Sequence, residues 1–365
     1  MSLRILILSA KRQRDVAARS IAAALSPTHE VVEFDYASAH MPLFGVVPLR
    51  RVSHAYRRVL HLSGLGETAV ADAALRRFVA GRRFDVVIVQ RVNVLPPDVV
   101  EALRATGALV IGWFMDAIVN LGAARFFEAP YHRVFFKDRV VVDHLREITR
   151  NPAYDYLAQG FDPALHRPLS GVSKTVDVGT YGSGYPHRAA LLAPLLARTD
   201  RCVEVRGQPA RVTSAELRRA YRPYVRGEEK RAAVARYRIA LNASHFSELG
   251  GVNKRTFELA GMGAFQLTDG VAVHHYFEPE VEVATFRGGR DLVDKVDFYL
   301  ANPALRERIA AAGLRRAWRA HTWAHRCNEL FERVPELSGV ARVPVPEGPP
   351  PADDGQLRDD RTTQR

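Results

Sequence analysis

Cysteine is scarce in this 365-residue chain, which has two: Cys202 and Cys327 lie far apart and form no CxxC or Cys/His spacing. Such usage argues against a disulfide scaffold and a cysteine-based metal site, and it fits a reduced cytoplasmic setting. Long apolar runs are also missing. The run in MSLRILILSAKRQRD is too short for a signal peptide, and no stretch approaches a membrane span. We therefore expect a cytoplasmic protein whose contact with membranes, if any, is peripheral.

Acidic residues are fewer than basic ones: the chain has 52 Lys and Arg residues and 40 Asp and Glu residues, and its formal net charge is +12. A positive net charge favours anionic partners such as nucleotides, nucleic acid or a membrane surface. The arginines are scattered as dipeptides over predicted helices, however, which is typical of solvated helix faces. The 47% hydrophobic content and the length predict a folded protein of two domains.

Short apolar runs alternate with helical patterns through the first half of the chain. The runs are nearly continuous, as expected of strands buried on both faces of a parallel sheet, and they cover 4–9, 31–34, 84–90, 108–114 and 133–136. Helical patterns separate them at 12–25, 53–80, 97–106 and 139–148. This order predicts a doubly wound α/β domain.

The segment GFDPALHRPLSGVSK, which ends at residue 174, is rich in Pro, Gly and Ser and predicts a linker. Strand patterns then return at 175–182, 203–207, 238–242, 264–268 and 281–286, followed by helical sequence from about 289 to 333. The sequence from 340 is rich in Pro and charge, which predicts disorder. We predict α/β architecture with two Rossmann-like doubly wound domains facing across a cleft, at 1–160 and 175–335, with a linker at 161–174 and a disordered tail at 340–365.

The stretch TVDVGTYGSGYPHRAALL predicts a strand, a glycine-rich turn and a helix. Gly182, Ser183 and Gly184 lie where the backbone can approach a phosphate, and Arg188 lies in the first helical turn, whose free N–H groups bind anions. The pattern is not GxGxxG and lacks an acidic ribose partner, so a nicotinamide dinucleotide is not predicted. A phosphate site and a plain strand-to-helix turn with a solvent-facing arginine remain equal alternatives.

The stretch GGVNKRTFELAGMGAF places Lys254 and Arg255 at the start of a helix predicted over 252–262. The helix macrodipole favours anions at that end, so two cations there need an explanation. A bound diphosphate would supply it, held by the two cations together with Gly251 and Asn253.

Glu258 lies one turn further along the same helix, where it could accept hydrogen bonds from the hydroxyl groups of a ribose. The alternative is an ordinary intrahelical ion pair of Lys254 or Arg255 with Glu258. The order with the cation first is the less favourable one for such a pair, and we therefore favour a ligand.

Two further residues are candidates for catalysis. Asp116 ends the apolar strand ALVIGWFM and could act as the general base of an inverting mechanism, or it could cap the backbone before Ala117. His245, in the loop before the Glu258 helix, could contact a sugar or a phosphate, although a lone loop histidine is more often a surface residue.

Several stretches together resemble one family. LNASHFSELGGVNKRTFELAGMGAFQLTD, YFEPEVEVATF, a helix ending in YLANP, and HTWAHR resemble the C-terminal domain of glycosyltransferases of the GT-B fold, in a bacterial-type group that is CgeB-like, or spore-maturation-like. The resemblance covers roughly 170–335. The N-terminal half is similar only in general order, including WFMD, FFKD and QGFDP.

The resemblance implies a glycosyltransferase with a nucleotide diphosphate sugar of UDP, GDP or dTDP type as donor, no required cofactor and no catalytic metal. It implies that the C-terminal domain binds the donor, with Glu258 on the ribose, Lys254 and Arg255 on the diphosphate and the turn at 182–184 across the phosphates. Many retaining relatives have seven residues between two glutamates, whereas Glu248 and Glu258 have nine, so the stereochemistry stays open.

Other functions also stay open at this point. A nucleotide-sugar epimerase or a sugar phosphorylase can share the fold. A non-catalytic polyanion-binding protein would explain the net charge, although no nucleic-acid partner is expected. Base selectivity is predicted near 206–208 and 224–228, and acceptor choice in N-terminal loops that include 37–52.

Overall fold

The computed structural model describes residues 1–9, 16–36, 68–90, 95–122, 124–198, 200–208 and 215–349. The predicted acceptor loop at 37–52, the start of each of the helices predicted at 12–25 and 53–80, and the tail from 350 lie outside these ranges. The chain forms two compact units. The first unit consists of Met1–Ala158 and Trp323–Pro344, and the second consists of Gln159–Thr322 and the residues from Val345.

The first unit contains a parallel sheet of six strands. In chain order they are β1 (Arg4–Ser9), β2 (Glu30–Asp35), β3 (Val86–Val89), β4 (Leu109–Phe114), β5 (Arg133–Phe136) and β6 (Tyr154–Tyr156). Their order in the sheet is β2-β1-β3-β4-β5-β6. Leu6 of β1 lies opposite Val32 on one side and Val87 on the other. The inner strands β1, β3 and β4 consist almost entirely of buried apolar residues, as expected of parallel strands that are covered on both faces, whereas the edge strand β2 carries three acidic residues.

The helices of this part of the chain follow the strands as the sequence predicts. They are α1 (Val16–Leu25), α2 (Ala69–Val79), α3 (Pro97–Arg104) and α4 (Arg139–Thr149), with short 3₁₀ helices at Ile118–Asn120 and Arg125–Phe127. Asp138 caps α4, because its carboxylate accepts a hydrogen bond from the N–H of Val141 at 3.3 Å.

The second unit contains another parallel sheet of six strands. They are β7 (Val176–Ser183), β8 (Val203–Gln208), β9 (Tyr221–Arg222), β10 (Tyr237–Asn242), β11 (Gln266–Thr268) and β12 (Ala284–Thr285). The sheet order is β12-β11-β10-β7-β8-β9, which places β7 and β10 side by side at its centre. Both predicted sheets are therefore confirmed, while the short edge strands β6 and β9 were not predicted.

The helices of the second unit flank this sheet. They are α5 (Pro186–Leu196), α6 (Ala215–Ala220), α7 (Gly227–Ala235), α8 (Arg255–Gly261), α9 (Gly288–Ala301) and α10 (Pro303–Ala320), with a 3₁₀ turn at Val273–His275. The helical sequence predicted over 289–333 is interrupted at Asn302, because Pro303 starts a new helix in the first-turn position that suits it.

The last helix, α11 (Trp323–Arg333), belongs to the first unit and is followed by a 3₁₀ turn at Pro335–Leu337. Trp323 contacts Trp113 edge to face, with ring centroids 5.8 Å apart, and it shares a core with α1. The predicted second domain at 175–335 thus ends too late. The apolar residues of α11 repeat with a helical period like those of the helix before it, so the sequence alone does not reveal that α11 belongs to the first unit.

The tail is ordered further than predicted. Val343 is buried and exchanges two hydrogen bonds with the side chain of Asn328, at 2.9 and 3.0 Å. The prediction of disorder from 340 is therefore wrong for Val343, because its side chain lies in the core of the first unit and its backbone is hydrogen-bonded to Asn328. In the described parts of the chain, no helix has the length and apolarity needed to cross a membrane.

Helix α8 carries the Glu258 motif, and α10 supports it from behind. The indole Nε1 of Trp318 donates to the carbonyl oxygen of Gly261 at 3.0 Å. Gly313 of α10 allows a close approach, since a Cβ there would overlap the carbonyl oxygen of Glu282. The Trp318 hydrogen bond ties α10 to the end of α8, and the close packing at Gly313 holds α10 against the segment that contains Glu282.

We predict that Gly313→Ala destabilises the protein. Replacing a glycine inside a helix with alanine normally stabilises by about 1 kcal/mol. Here the added methyl group meets backbone that cannot move aside, so we expect a loss of about 1–3 kcal/mol in the free energy of unfolding, measured in urea. Gly289→Ala is the control, because its Cβ would make an ordinary 3.6 Å contact with Pro194. Equal effects of the two substitutions would contradict the packing argument.

Candidate functional site

The candidate site lies at the carboxyl edge of the second sheet, where β7 and β10 end. In parallel sheets, ligands bind beyond this edge, next to helix N-termini. β7 leads through Gly184 and Tyr185 into α5, and β10 leads through the loop 243–254 into α8. Arg188 of α5 joins the two connections, because its Nε donates to the carbonyl oxygen of Ala243 at 3.0 Å.

The predicted glycine-rich turn begins later than expected. Gly182 and Ser183 are the last residues of β7 and pair with β8, so only Gly184 lies in the connection. Gly182 has a φ of +122°, which strongly favours glycine, and a Cβ there would overlap Nη2 of Arg255 and lie 3.4 Å from Nη1 of Arg188. Both predicted phosphate-binding arginines therefore converge on Gly182.

Arg255 is the first residue of α8 and is 8% exposed. Its guanidinium lies over the ring of Tyr181, 4.9 Å from the centroid. Within the described ranges, its Nε and Nη1 are buried and have no hydrogen-bond acceptor. Leaving a buried charged donor unpaired costs about 1–3 kcal/mol or more. The arrangement therefore calls for an external acceptor, and an anion suits it best.

Arg188 supplies a second guanidinium beside the first. Its Nη1 donates to the carbonyl oxygen of Ser183 at 3.0 Å. Burial and the positive charge of Arg255 lower the pKa of Arg188 to about 9, which still leaves it protonated at neutral pH. Its hydrogen bonds to Ala243 and Ser183 go to carbonyl oxygens, which carry no net charge, so the positive charge at Gly182 is left for a ligand to offset.

Glu258 lies one turn into α8 and is 2% exposed. Its Oε2 accepts hydrogen bonds from the hydroxyl of Tyr181 at 2.8 Å and from Nζ of Lys230 at 3.0 Å. Its Oε1 lies 3.5 Å from Nε2 of His166 and 3.7 Å from Nζ of Lys254. Burial alone would raise the pKa of the Glu258 carboxyl, but the positive charges of Lys230 and Lys254 and the hydrogen bond from Lys230 hold it well below its usual range.

His166 and Lys230 complete this buried network. Nζ of Lys230 lies 2.8 Å from Nε2 of His166, and Nδ1 of the same ring lies 3.2 Å from the carbonyl oxygen of Asp162. Burial lowers the pKa of His166 to about 4 in spite of the nearby Glu258 carboxylate. The imidazole is therefore neutral at pH 7, with Nε2 accepting from Lys230 and Nδ1 carrying the proton.

The remaining predicted donor-site residues lie around the start of α8. The ion pair of Lys254 with Glu258 shows that the alternative, intrahelical interpretation also applies, although the Lys254 side chain remains 41% exposed. Asn253 donates from Nδ2 to Oδ1 of Asn242 at 3.1 Å, and its own Oδ1 is buried without a partner in the described ranges. Gly251 is buried.

His245 is 9% exposed and is not the surface residue that a lone loop histidine suggests. Its Nδ1 lies 2.8 Å from Oγ of Ser247, and its ring contacts Tyr185, His187 and Phe246. The loop therefore has a defined conformation next to the arginines. Its predicted contact with a sugar or phosphate stays a prediction.

Asp116 lies in the first unit, directly after β4 and Met115, and is exposed. Its Oδ1 accepts a hydrogen bond from the N–H of Ala117 at 2.8 Å, as in the capping alternative. Its role as a general base stays a prediction. Across the described ranges, no three His, Cys, Asp or Glu side chains are grouped so that they could hold a metal ion.

The sequence missed three members of the site: Tyr181, Lys230 and His166. Lys230 comes from the charged run EEKR on α7, which looks like an ordinary solvated helix face. His166 lies in the predicted linker. No spacing rule connects either residue with Glu258, because the fold brings them together over long sequence separations.

We predict that Glu258→Gln costs about 3 kcal/mol of unfolding free energy at pH 7, since it leaves buried cations without their counter-ion. The wild-type carboxyl has a depressed pKa in the folded state, so its contribution is complete above the unfolded pKa of about 4.3 and is lost as the pH falls below it. The difference between wild type and variant should therefore shrink between pH 5 and pH 3 in urea unfolding.

The matched control is Glu280→Gln, in the same unit. Glu280 also contacts a tyrosine and a lysine, Tyr299 and Lys295, but it is 41% exposed. We expect Glu280→Gln to lower the free energy of unfolding by less than about 1 kcal/mol. A Glu258→Gln effect that stays constant down to pH 3 would rule out the ionised carboxylate as its source.

Comparisons with known proteins bear on the fold and on the family to which the sequence is similar. Residues 176–332 match the sequence model of a family described as glycosyl transferase-like. A 71-residue stretch is 37% identical to the spore protein CgeB of Bacillus subtilis strain 168, but the match covers only 20% of this chain and 21% of that protein. The predicted CgeB-like grouping therefore stays a prediction.

Two solved structures share the whole fold. Sucrose-phosphate synthase from Thermosynechococcus elongatus superimposes with a TM-score of 0.64 at 10% identity, covering 92% of this chain and 99% of that one. HepE from Anabaena, in complex with UDP and glucose, superimposes with a TM-score of 0.62 at 13% identity, covering 91% and 99%. The chain thus has the two-sheet α/β fold of GT-B glycosyltransferases, and its residues 176–332 are glycosyl transferase-like in sequence.

Proposed function

We propose that this protein is a glycosyltransferase that takes its sugar from a nucleotide diphosphate sugar bound by the second unit. The observation that carries the proposal is that two buried N–H groups of Arg255 have no acceptor among the residues that the structure describes. A diphosphate would accept hydrogen bonds from them and would offset the charges of Arg255 and Arg188. The backbone at Gly182, where no side chain can intervene, lies beside both groups.

The chemistry of transfer agrees with this arrangement. When the bond from the sugar to the diphosphate breaks, negative charge develops on the leaving diphosphate. Positively charged side chains and N–H groups that are already in place stabilise that charge without reorganising. We propose that Arg255, Arg188 and Lys254 do so here and that no metal ion is required.

The nucleoside would lie on the Glu258 side of the site. Oε2 of Glu258 is occupied by Tyr181 and Lys230 at hydrogen-bond distance, whereas the neighbours of Oε1 lie at 3.5 and 3.7 Å. Lys254, the more exposed of those neighbours, can move aside when a ligand enters. We propose that Oε1 then accepts a hydrogen bond from a ribose hydroxyl. HepE, which shares the fold, was crystallised with UDP, which supports testing UDP first.

We predict that Arg255→Gln weakens the binding of a nucleoside diphosphate by about 10- to 100-fold, the equivalent of one or two charged hydrogen bonds. The measurement is calorimetric titration of UDP, GDP, dTDP and ADP, with EDTA present. Arg238→Gln is the control, because Arg238 lies near the opposite end of β10, where it pairs with Asp177, and its loss should leave the affinity unchanged.

Three outcomes would overturn the proposal. If folded wild-type protein binds none of the four nucleotides, the donor site is wrong, and steeply salt-dependent binding of DNA, RNA or anionic lipid would then support the polyanion-binding alternative. If it binds a nucleotide but forms product only from inorganic phosphate, the enzyme is a phosphorylase. Interconversion of free nucleotide sugars would indicate an epimerase.

We predict that Asp116→Asn lowers the turnover number by about 100-fold or more while nucleotide affinity stays at the wild-type level, as expected for a general base. Release of nucleoside diphosphate from the selected donor is measured in the presence of acceptor. Asp98→Asn provides a control, since Asp98 is an exposed carboxylate of the same unit that pairs with Arg76. Wild-type turnover of Asp116→Asn would remove Asp116 from the mechanism.

A further inference from the structure

The two oxygens of the Glu258 carboxylate have unequal surroundings. Oε2 accepts two short hydrogen bonds, from Tyr181 of β7 and Lys230 of α7. Oε1 has two more distant neighbours, Nε2 of the neutral His166 and Nζ of the partly exposed Lys254. A carboxylate oxygen can accept two hydrogen bonds. Oε2 is therefore saturated, and the remaining capacity of the group is at Oε1.

Lys230 is itself held in place on several sides. Its ammonium lies between Oε2 of Glu258 and Nε2 of His166, and it lies over the ring of Tyr181 at 5.4 Å from the centroid. Its side chain is only 12% exposed. An ammonium group has three protons to donate, and the two acceptors hold it in a fixed position. The Lys230 side chain can therefore determine the rotamer of Glu258.

The other basic residues near Glu258 cannot replace Lys230. His166 is neutral at pH 7, since burial lowers its pKa to about 4. Lys254 faces Oε1 from the preceding turn and is partly exposed, and its Nζ lies 3.7 Å from that oxygen. Arg255 lies over the ring of Tyr181 with its guanidinium beside Gly182. Without Lys230, Oε2 would keep only the Tyr181 hydroxyl.

We propose that Lys230 is a positioning residue for nucleotide recognition: it fixes Oε2 of Glu258 and so presents Oε1 to the ribose hydroxyls. This inference rests on the proposed donor site and deepens it. It assigns a role to a helix that no sequence motif singled out. It also makes ribose recognition, rather than diphosphate binding, the property that depends on Lys230.

The test compares two ligands on each variant. The first is the nucleoside diphosphate that wild-type protein binds best, and the second is its 2′,3′-dideoxy analogue, which has the same base and diphosphate but lacks the hydroxyl groups. We expect Lys230→Met to weaken binding of the first about 10-fold, the equivalent of one hydrogen bond to a charged group, and to leave binding of the second within about twofold. Lys230→Arg, which keeps the charge and donors, should recover most of the loss.

The control is Lys295→Met, which removes a lysine from the comparable but exposed carboxylate Glu280. It should change neither affinity. A second check is a double variant: in the Glu258→Gln background, Lys230→Met should cause no further loss, because both substitutions act on the same contact. If Lys230→Met unfolds the protein, Lys230→Gln, whose shorter and uncharged side chain lacks the ammonium that holds Oε2, takes its place with the same expected results.

The outcomes separate this inference from the proposed function. Equal losses for the ribose and dideoxy ligands, wild-type affinity in Lys230→Met, or additive losses in the double variant would each overturn the positioning role while leaving the donor site intact. Failure of folded wild-type protein to bind any nucleoside diphosphate would overturn both.

Discussion

The candidate site at the carboxyl edge of the second sheet depends on the contacts of one buried group, the carboxylate of Glu258. It joins the first turn of α8 to β7, to α7 and to the segment that follows β6, through Tyr181, Lys230 and His166. Burying an isolated carboxylate would cost several kcal/mol, and only close, well-oriented partners offset that cost. The network therefore determines how these four segments pack against one another, and it fixes the start of α8 relative to the end of β7.

The cations at this edge fall into two groups. Lys230 and Lys254 have a carboxylate partner and contribute to the folded structure without a ligand. Arg255 and Arg188 converge on Gly182, where Arg255 contacts the ring of Tyr181 and Arg188 donates to carbonyl oxygens. A helix start disfavours such charges, and the two guanidinium groups also repel each other. These costs are characteristic of a functional site, where local stability is reduced in favour of binding.

The sequence predicted most of the fold because its strongest signals are local. Continuous apolar runs such as RILILS identify strands buried on both faces, and Gly182, Arg188 and Arg255 lie where strand-to-helix connections are expected to bind anions. Long-range partners have no such signal. Tyr181 and Lys230 reach Glu258 across 77 and 28 residues. Nor does sequence reveal that α11 returns to the first unit, since the amphipathic pattern shows that a helix is covered but not by which core.

The two cations at the start of α8 can now be explained in physical terms. Glu258, one turn further in, offsets only part of their charge, because it also neutralises Lys230. Lys254 pairs with the same carboxylate at the longer distance of 3.7 Å, so Arg255 keeps its full charge and two buried donors that have no acceptor among the described residues. An anion that binds there satisfies those donors and removes the repulsion between Arg255 and Arg188. Since only the folded state holds the two arginines together, binding such an anion and folding the second unit stabilise each other.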